Sequence, residues 1–142
     1  MASELPLSPR EEIEGIVHFR RMLHKIRLNQ AGDLHSDYQS KLGQGFDSDC
    51  CDFLGIDYQD VVDVIKAGAS DEEALEKVLE HGNAPSPYEV EVWSAYLSKR
   101  GWRDSSSEGL AKRKEELHIG HRDEVQTFFD LIDADEGREI TS

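Results

Sequence analysis

Hydrophobic residues recur at spacings of three and four along most of the chain, which is the periodicity of helices with one buried face. In the first such segment, the run "SPRE" at 8–11 reads as a capping box with proline at the first helical position. Gly32 follows the segment as a stop. The pattern predicts a long first helix over about residues 9 to 31. Its apolar positions are Ile13, Ile16, Val17, Leu23 and Ile26.

Six further helices are predicted by the same punctuation, a capping residue before each apolar run and a glycine after it. Two of them begin at capping boxes, Ser70 to Glu73 and Ser86 to Glu89, and another box is read at Ser105 to Glu108. The last run, "RDEVQTFFDLIDADEG", ends at Gly137. The other predicted caps and stops are Asp47 or Ser48 before the short "DCCDFLG", Asp57, Gly68, Gly82, Gly101 and Gly120.

Strand signals are weak, because no run alternates Val, Ile or Thr and no Asn-Gly hairpin occurs. We therefore predict an all-α fold, a single compact domain over residues 1–142 with about seven short-to-medium helices in an irregular or orthogonal array. Residues 1–7 are expected to form an extended segment. Residues 33–46 lack a helical pattern, and a connection of that length is usually functional or wedged against the core.

The net charge of −14 limits the classes of partner that the protein is expected to bind. A field of that sign repels phosphate backbones and anionic lipids, so nucleic acid and membranes are not expected as partners. No apolar run approaches the length that spans a bilayer, and the first residues lack a basic start and an apolar run. A cytoplasmic location is therefore predicted. The acidic composition also fits adaptation to salty surroundings, which would require no partner.

Catalytic motifs are not recognisable in the sequence: it has no His-Glu-x-x-His, no Walker loop, no Gly-x-Ser-x-Gly and no Cys-x-x-Cys. Cys50 and Cys51 are adjacent, so we interpret them as small buried hydrophobic residues and not as a disulfide framework. Gly43 and Gly45 in "KLGQGFD" loosely resemble an anion-binding loop, although a tight turn explains them equally. The sequence predicts no cofactor and no metal ion, and it leaves open whether the protein is an enzyme.

Acidic residues crowd the end of the last predicted helix, where carboxylates cost roughly 0.3–1 kcal/mol each when exposed. The basic second half of helix one offers a partner for them, and we predict that Asp133 or Asp135 binds Arg27. Two alternatives stay open, a divalent cation at Asp130 and Asp133 and an anion bound by the basic stripe of helix one. The acids are Asp130, Asp133, Asp135 and Glu136, and the bases are Arg20, Arg21, Lys25 and Arg27.

Other candidate binding residues are Arg138, Trp102 and Arg103. Arg138 follows the acidic run, and simple solvation of Arg138 and Glu136 is the alternative. Trp102 comes directly after Gly101, where a hydrophobic residue often packs back on its helix. Trp102 with Arg103 also suits an interface anchor, because Trp and Arg are enriched in binding hot spots. The helix before it has an apolar stripe at Val92, Trp93, Tyr96 and Leu97.

Five segments together resemble one protein family: "RMLHKIRLNQAGDL", "FLGIDY", "GASDEEAL", "YLSKRGWRD" and "TFFDLIDADEGR". They are similar, in order and over nearly the whole chain, to domain-of-unknown-function family 5069, an uncharacterised family of small all-helical bacterial proteins. The resemblance implies a small bacterial cytoplasmic protein. It implies no activity.

We predict from the sequence a small acidic protein that binds a protein partner or a second copy of itself without catalysis. The absence of a catalytic motif, the acidic surface and the two tryptophans Trp93 and Trp102 support this hypothesis. The alternative is a small metal-dependent or anion-binding enzyme, taking a small anionic ligand, with its site between the last helix and helix one.

Overall fold

Helices are the regular secondary structure of the computed structural model, which describes residues 5–140. Within that range the extended pairing consists of one isolated bridge between Ile13 and Ile16, so the all-α prediction is confirmed. The helices are α1 Phe19–Gln30, α2 Phe46–Leu54, α3 Tyr58–Lys66, α4 Asp71–His81, α5 Pro87–Ser98, α6 Ser107–Glu116 and α7 Phe128–Asp135, with a 3-10 helix at Ser36–Lys41 between α1 and α2.

The first helix is shorter than predicted, because α1 begins at Phe19. The stretch before it forms a turn in which the amides and carbonyls of Ile13 and Ile16 bond to each other. Gly15, at a φ of +83°, interrupts what the sequence presented as one helical run. The capping box predicted at 8–11 is therefore wrong. Residues 5–8 carry no helix or strand, and residues 1–4 of the predicted extended segment lie outside the described residues.

The N-termini of helices in the middle of the chain agree best with the capping boxes predicted from the sequence. Both reciprocal hydrogen bonds of a capping box are present at Ser70 with Glu73 and at Ser86 with Glu89. Asp57 precedes α3 as predicted but makes no side-chain cap bond. The box predicted from Ser105 is wrong, since α6 begins at Ser107 and the amide of Ser106 donates instead to Asp104 at 2.8 Å.

The chain divides into two compact units, Met1–Trp93 and Ser94–Ser142. The first contains α1 to α4, the 3-10 helix and the beginning of α5, and its deepest residues include Phe19, Met22 and Leu23 of α1. The second has a core of Leu110, Val125 and Leu131, with Phe128 among the residues packed against it. The prediction of a single domain over residues 1–142 stays a prediction.

The ends of α2 and α4 meet at Gly82, where there is no room for a side chain. A Cβ atom built on Gly82 would lie 2.1 Å from the carbonyl oxygen of Leu54. The next amide, that of Asn83, donates to the same carbonyl at 2.8 Å. The predicted stop after α4 is thus also a point of backbone-to-backbone contact.

The connection at residues 33–46 is more ordered than its sequence indicated. It holds the 3-10 helix, and Leu34 before that helix is buried. As for bilayer crossing, no helix among residues 5–140 combines the necessary length with the necessary apolar character.

Candidate functional site

The acidic end of the chain has a local explanation that begins with the shortness of α7. Thr127 is the N-cap of this helix, and its hydroxyl accepts a hydrogen bond from the amide of Asp130 at 3.1 Å. The carboxylate of Asp130 accepts in turn from the amide of Gln126 at 3.0 Å. Asp130 therefore lies in the first turn of its helix, where a negative charge is favourable, and not in the last turn as predicted.

Asp133 and Glu136 are buried and share one cation, Arg138. One guanidinium nitrogen of Arg138 lies 3.1 Å from Asp133 Oδ1 and 2.5 Å from Glu136 Oε1. Gly137, at a φ of +81°, reverses the chain, and the amide of Arg138 bonds back to the carbonyl of Asp133 at 2.7 Å. The alternative in which Glu136 and Arg138 are solvated is thus wrong for both, whereas Asp135 is exposed.

Arg27 has a different acid from the one that the sequence predicted. Its guanidinium bonds to Asp71 Oδ1 at 2.6 Å and to the carbonyl of Ala69 at 3.1 Å, whereas the prediction named Asp133 or Asp135. Arg20, seven residues earlier on α1, bonds to the other carboxylate oxygen of Asp71 at 3.0 Å. Burial raises the pKa of Asp71, but the hydrogen bonds and charges of the two arginines outweigh it and leave that pKa lowered.

This pairing was missed because Asp71 looked like an ordinary first-turn residue of α4. It follows the capping residue Ser70, and nothing in the local pattern assigns it a distant partner. Arg20 has a second acid as well, since its Nη1 atom lies 3.7 Å from Glu11 Oε2. Asp71 and Glu11 together therefore balance the charges of Arg20 and Arg27 on the basic stripe. Within residues 5–140, no group of three or more His, Cys, Asp or Glu side chains is placed to hold a metal ion.

Trp102 and Arg103 lie together on the surface of the second unit. Trp102 is 46% exposed, so the interpretation of this residue as a core anchor is wrong. The guanidinium carbon of Arg103 lies 5.1 Å from the centre of the Trp102 ring, within the range of a cation–π contact. The turn is held by Asp104, which accepts from the amide of Gly101 at 2.9 Å. The binding role of Trp102 and Arg103 stays a prediction.

The most exposed apolar surface lies on α5 and was not predicted. Trp93 and Leu97 are buried as expected, and the ring of Trp93 stacks on Phe53 with 4.8 Å between centroids. Val92 and Tyr96, which the sequence placed in the same stripe, point away from the core and are 50% and 52% exposed. We call the exposed side the outer face of α5; it consists of Tyr88, Val92, Ala95 and Tyr96, and we extend it to Lys99, which directly follows the last helical residue Ser98.

The spacing on the outer face is that of a coiled-coil seam. Tyr88, Val92, Ala95 and Lys99 are separated by four, three and four residues, which keeps them within one narrow band of the helix surface. Tyr96 lies beside this band, and its ring is covered on one side by the guanidinium of Arg100 at 5.4 Å. The helix is therefore apolar on two opposite sides, of which the described protein buries one.

A second unpredicted feature is a buried cluster of three ionisable residues. Asp47 is fully buried in α2 and lies 2.7 Å from His18 Nε2 and 2.8 Å from Lys25 Nζ. The amide of Gly43 also donates to this carboxylate at 3.2 Å. His18 is the N-cap of α1 with a φ of +70°, a left-handed conformation that is uncommon outside glycine. We call these three side chains the buried charge cluster.

Electrostatics explains the protonation of the cluster. Burial lowers the pKa of His18 and of Lys25, although Asp47 acts against the shift in both. Burial raises the pKa of Asp47, but the hydrogen bond from His18 and the charge of Lys25 outweigh it and leave that pKa lowered. These directions give a carboxylate at Asp47 and a neutral imidazole at His18 near neutral pH, and the 2.8 Å contact of Lys25 Nζ with Asp47 is that of an ion pair. His18 Nδ1 is buried without a hydrogen-bond partner among the described residues.

Cys50 and Cys51 lie next to this cluster in sequence, and both are buried free thiols as predicted. Burial raises the pKa of both, that of Cys51 to about 11, so neither is a thiolate at neutral pH. Cys51 Sγ lies 3.9 Å from Met22 Sδ, which is a contact between two core residues.

The fold and these sites define the class of the protein: a small, acidic, all-helical chain that, within residues 5–140, has a buried charge cluster and an exposed apolar helix face. Its family follows from comparison with known proteins. The model of a domain of unknown function, DUF5069, matches residues 3–138, and the chain belongs to that family. The resemblance noted in the sequence is thereby confirmed. No curated protein matches the chain.

Proposed function

We propose that the protein is a non-catalytic interaction protein that self-associates through the outer face of α5. One observation carries the proposal: α5 presents large apolar side chains on two opposite sides, and only one side is buried. An ordinary surface helix is apolar on one side only, so a second apolar side on α5 indicates a further surface that covers it. A second copy of the chain would complete the burial of α5.

The composition of the outer face supports an interface. Tyr88 is 74% exposed and Tyr96 52% exposed, and tyrosine is enriched at interfaces because it combines a large apolar ring with a polar end. Ala95 lies between the two tyrosines along the seam, and a small residue there lets a second helix approach closely. The four-three-four spacing is what a second helix requires for side chains of one helix to enter gaps in the other.

The size of the face predicts a weak association. With about 200 Å² for each tyrosine side chain, the exposed parts of Tyr88 and Tyr96 amount to roughly 250 Å² per copy, or roughly 500 Å² for two copies. Val92 and Ala95 add to this area. This apolar area is smaller than the roughly 1,200–2,000 Å² that stable specific interfaces bury and is in the range of weak, transient ones, so we expect a dissociation constant on the order of micromolar or weaker.

The proposal also includes a cytoplasmic location. Its support is that both cysteines are free thiols, which is usual for proteins of reducing compartments.

Sedimentation velocity over a wide range of protein concentration tests the proposal. We expect the wild-type protein to change from monomer to dimer as its concentration rises, and the double variant Tyr88→Ser/Tyr96→Ser to stay monomeric. Leu5→Ser is the matched control, because Leu5 is an exposed apolar residue at 50% outside α5 and its loss should leave the dimer unchanged.

Two results would contradict the proposal. One is a wild-type protein that stays monomeric up to about millimolar concentration, where even a weak interface is populated. The other is a dimer that both tyrosine substitutions leave intact. Circular dichroism of the double variant must show native helix content, so that loss of the dimer is not loss of the fold.

A further inference from the structure

We infer that two copies pair with their α5 helices antiparallel, so that Lys99 of each copy lies against the acidic beginning of α5 in the other. This inference rests on the proposed self-association and adds its orientation. It follows from the charges that flank the outer face, from the residues that would meet in each orientation and from the symmetry of the pair.

Charge is distributed unevenly along α5. Glu89 and Glu91 flank the outer face near its beginning, and Lys99 lies on the face near its end. All three side chains are exposed. Across residues 5–140, neither Glu91 nor Lys99 takes part in an ion pair, whereas Arg100 pairs with Asp104 at 3.2 Å. Glu91 on α5 and Lys99 directly after it are therefore charges that remain available to a partner.

A parallel pair would bring like charges together. Each residue of the seam would then face its own copy, so Lys99 would oppose Lys99 and the glutamates of the two helices would lie near each other. Like charges at such short separation are destabilising. In the parallel pair, Tyr88 would pack against Tyr88 and Val92 against Val92 of the other copy. The antiparallel pair buries the same apolar side chains, so the parallel pair has no apolar advantage.

An antiparallel pair reverses the order of the second helix and makes the face self-complementary. Val92 then meets Ala95 of the other copy, so a larger side chain packs against a smaller one in both central layers. Tyr88 meets Lys99, whose aliphatic stem covers the ring while its ammonium group reaches the carboxylate of Glu91. The arrangement is closed and two-fold symmetric, so every such contact occurs twice.

The overall charge of the chain does not decide the orientation. Two copies of net charge −14 repel each other in either arrangement. At physiological salt this repulsion is screened over about 8 Å, so the charges within the seam distinguish the two orientations. Only the antiparallel pair places the ammonium group of Lys99 near a carboxylate of the other copy.

Charge reversal tests the orientation. In the antiparallel pair, Lys99→Glu and Glu91→Lys each place two like-charge contacts in the interface, and we expect each to raise the dimer dissociation constant about tenfold. The double variant Glu91→Lys/Lys99→Glu restores opposite charges and should return the constant to within about threefold of wild type. In a parallel pair, all three variants keep like charges opposed, and the constant should hardly change.

Cross-linking gives an independent measurement of the same geometry. Chains carrying Tyr88→Cys are mixed with chains carrying Lys99→Cys under mild oxidation, at a protein concentration where the pair forms. The antiparallel pair brings positions 88 and 99 of different copies together and should yield mainly the mixed disulfide. Cys50 and Cys51 are buried with raised pKa and should not compete.

The outcomes separate this inference from the proposed function. If the wild-type protein does not dimerise, the proposed function fails and the orientation fails with it. If the wild type dimerises and Tyr88→Ser/Tyr96→Ser abolishes the dimer, but charge reversal has no effect and Tyr88→Cys cross-links to itself, the antiparallel orientation alone is wrong.

Discussion

Removal of the Asp47 carboxylate should be among the most destabilising single changes in the first unit. Asp47→Ala leaves the ammonium group of Lys25 buried at 6% side-chain exposure without its counter-charge, and it removes the acceptor of His18. Breaking a buried ion pair on one side typically costs 3–5 kcal/mol, because the remaining charge keeps its desolvation penalty. We expect a loss of about 4 kcal/mol in the free energy of unfolding, which for this chain length lowers Tm by roughly 13 °C.

The control for this variant is a histidine–aspartate pair of the same type at the surface. His35 Nδ1 lies 3.6 Å from Asp37 Oδ2, with both side chains more than half exposed. Asp37→Ala should leave the urea midpoint nearly unchanged, since exposed pairs contribute little. Unfolding is followed by circular dichroism at low micromolar concentration, so that self-association does not add to the measured stability.

A second variant tests the reason for the loss. Asp47→Ala/Lys25→Met removes both charges, so the double variant should be more stable than Asp47→Ala alone even though it carries one more substitution. A loss below about 1 kcal/mol for Asp47→Ala, or a double variant that is less stable than the single one, would refute the argument that an unpaired buried charge causes the effect.

Two further predictions follow. Because the pKa of His18 is lowered from 6.5 in the folded state, the unfolded state binds a proton first, so the free energy of unfolding should decrease as the pH falls below about 6.5 and decrease again near the lowered pKa of Asp47. Urea midpoints at pH 8, 6 and 5 should show the first decrease in wild type and not in His18→Asn, which tolerates the left-handed backbone. Extensively dialysed protein should carry no stoichiometric divalent metal in elemental analysis, because Asp133 is already bound by Arg138. One metal per chain that is lost in Asp133→Asn would instead favour the metal-dependent enzyme.

Most helices could be predicted because their ends are marked by residues close in sequence, as the N-termini of α4 and α5 illustrate. The boxes at Ser70 and Ser86 satisfy amides with side chains only three residues away, so their geometry depends on little beyond the local sequence. The start of α1 depends on more, since the amide of His18 bonds to the distant carbonyl of Pro9 and its ring to Asp47. The capping pattern at 8–11 is local and could not reveal these longer-range bonds, which place the start of α1 at Phe19.

The candidate sites were less predictable because they depend on which elements cover which faces. On α5, Val92 and Trp93 are neighbours in one apolar stripe, and only the surrounding helices decide that Trp93 is buried and Val92 exposed. The sequence offered Asp47 only as a candidate helix cap, and its burial follows from the approach of α1, which brings residues 18 and 25 to it. The glycines before Asp47 were the available signal, since the amide of Gly43 bonds to its carboxylate.

The contact at Gly82 limits how the sequence can vary. At half of the positive-φ glycines described, the obstacle to substitution is conformational alone, and at Gly32, for example, no atom lies within 4 Å of the missing Cβ. At Gly82 the obstacle is a backbone oxygen of another helix, which no choice of rotamer or turn type can move aside. In a saturation-mutagenesis library of the first unit, position 82 should accept glycine alone unless α2 and α4 separate, whereas position 32 should accept Asn.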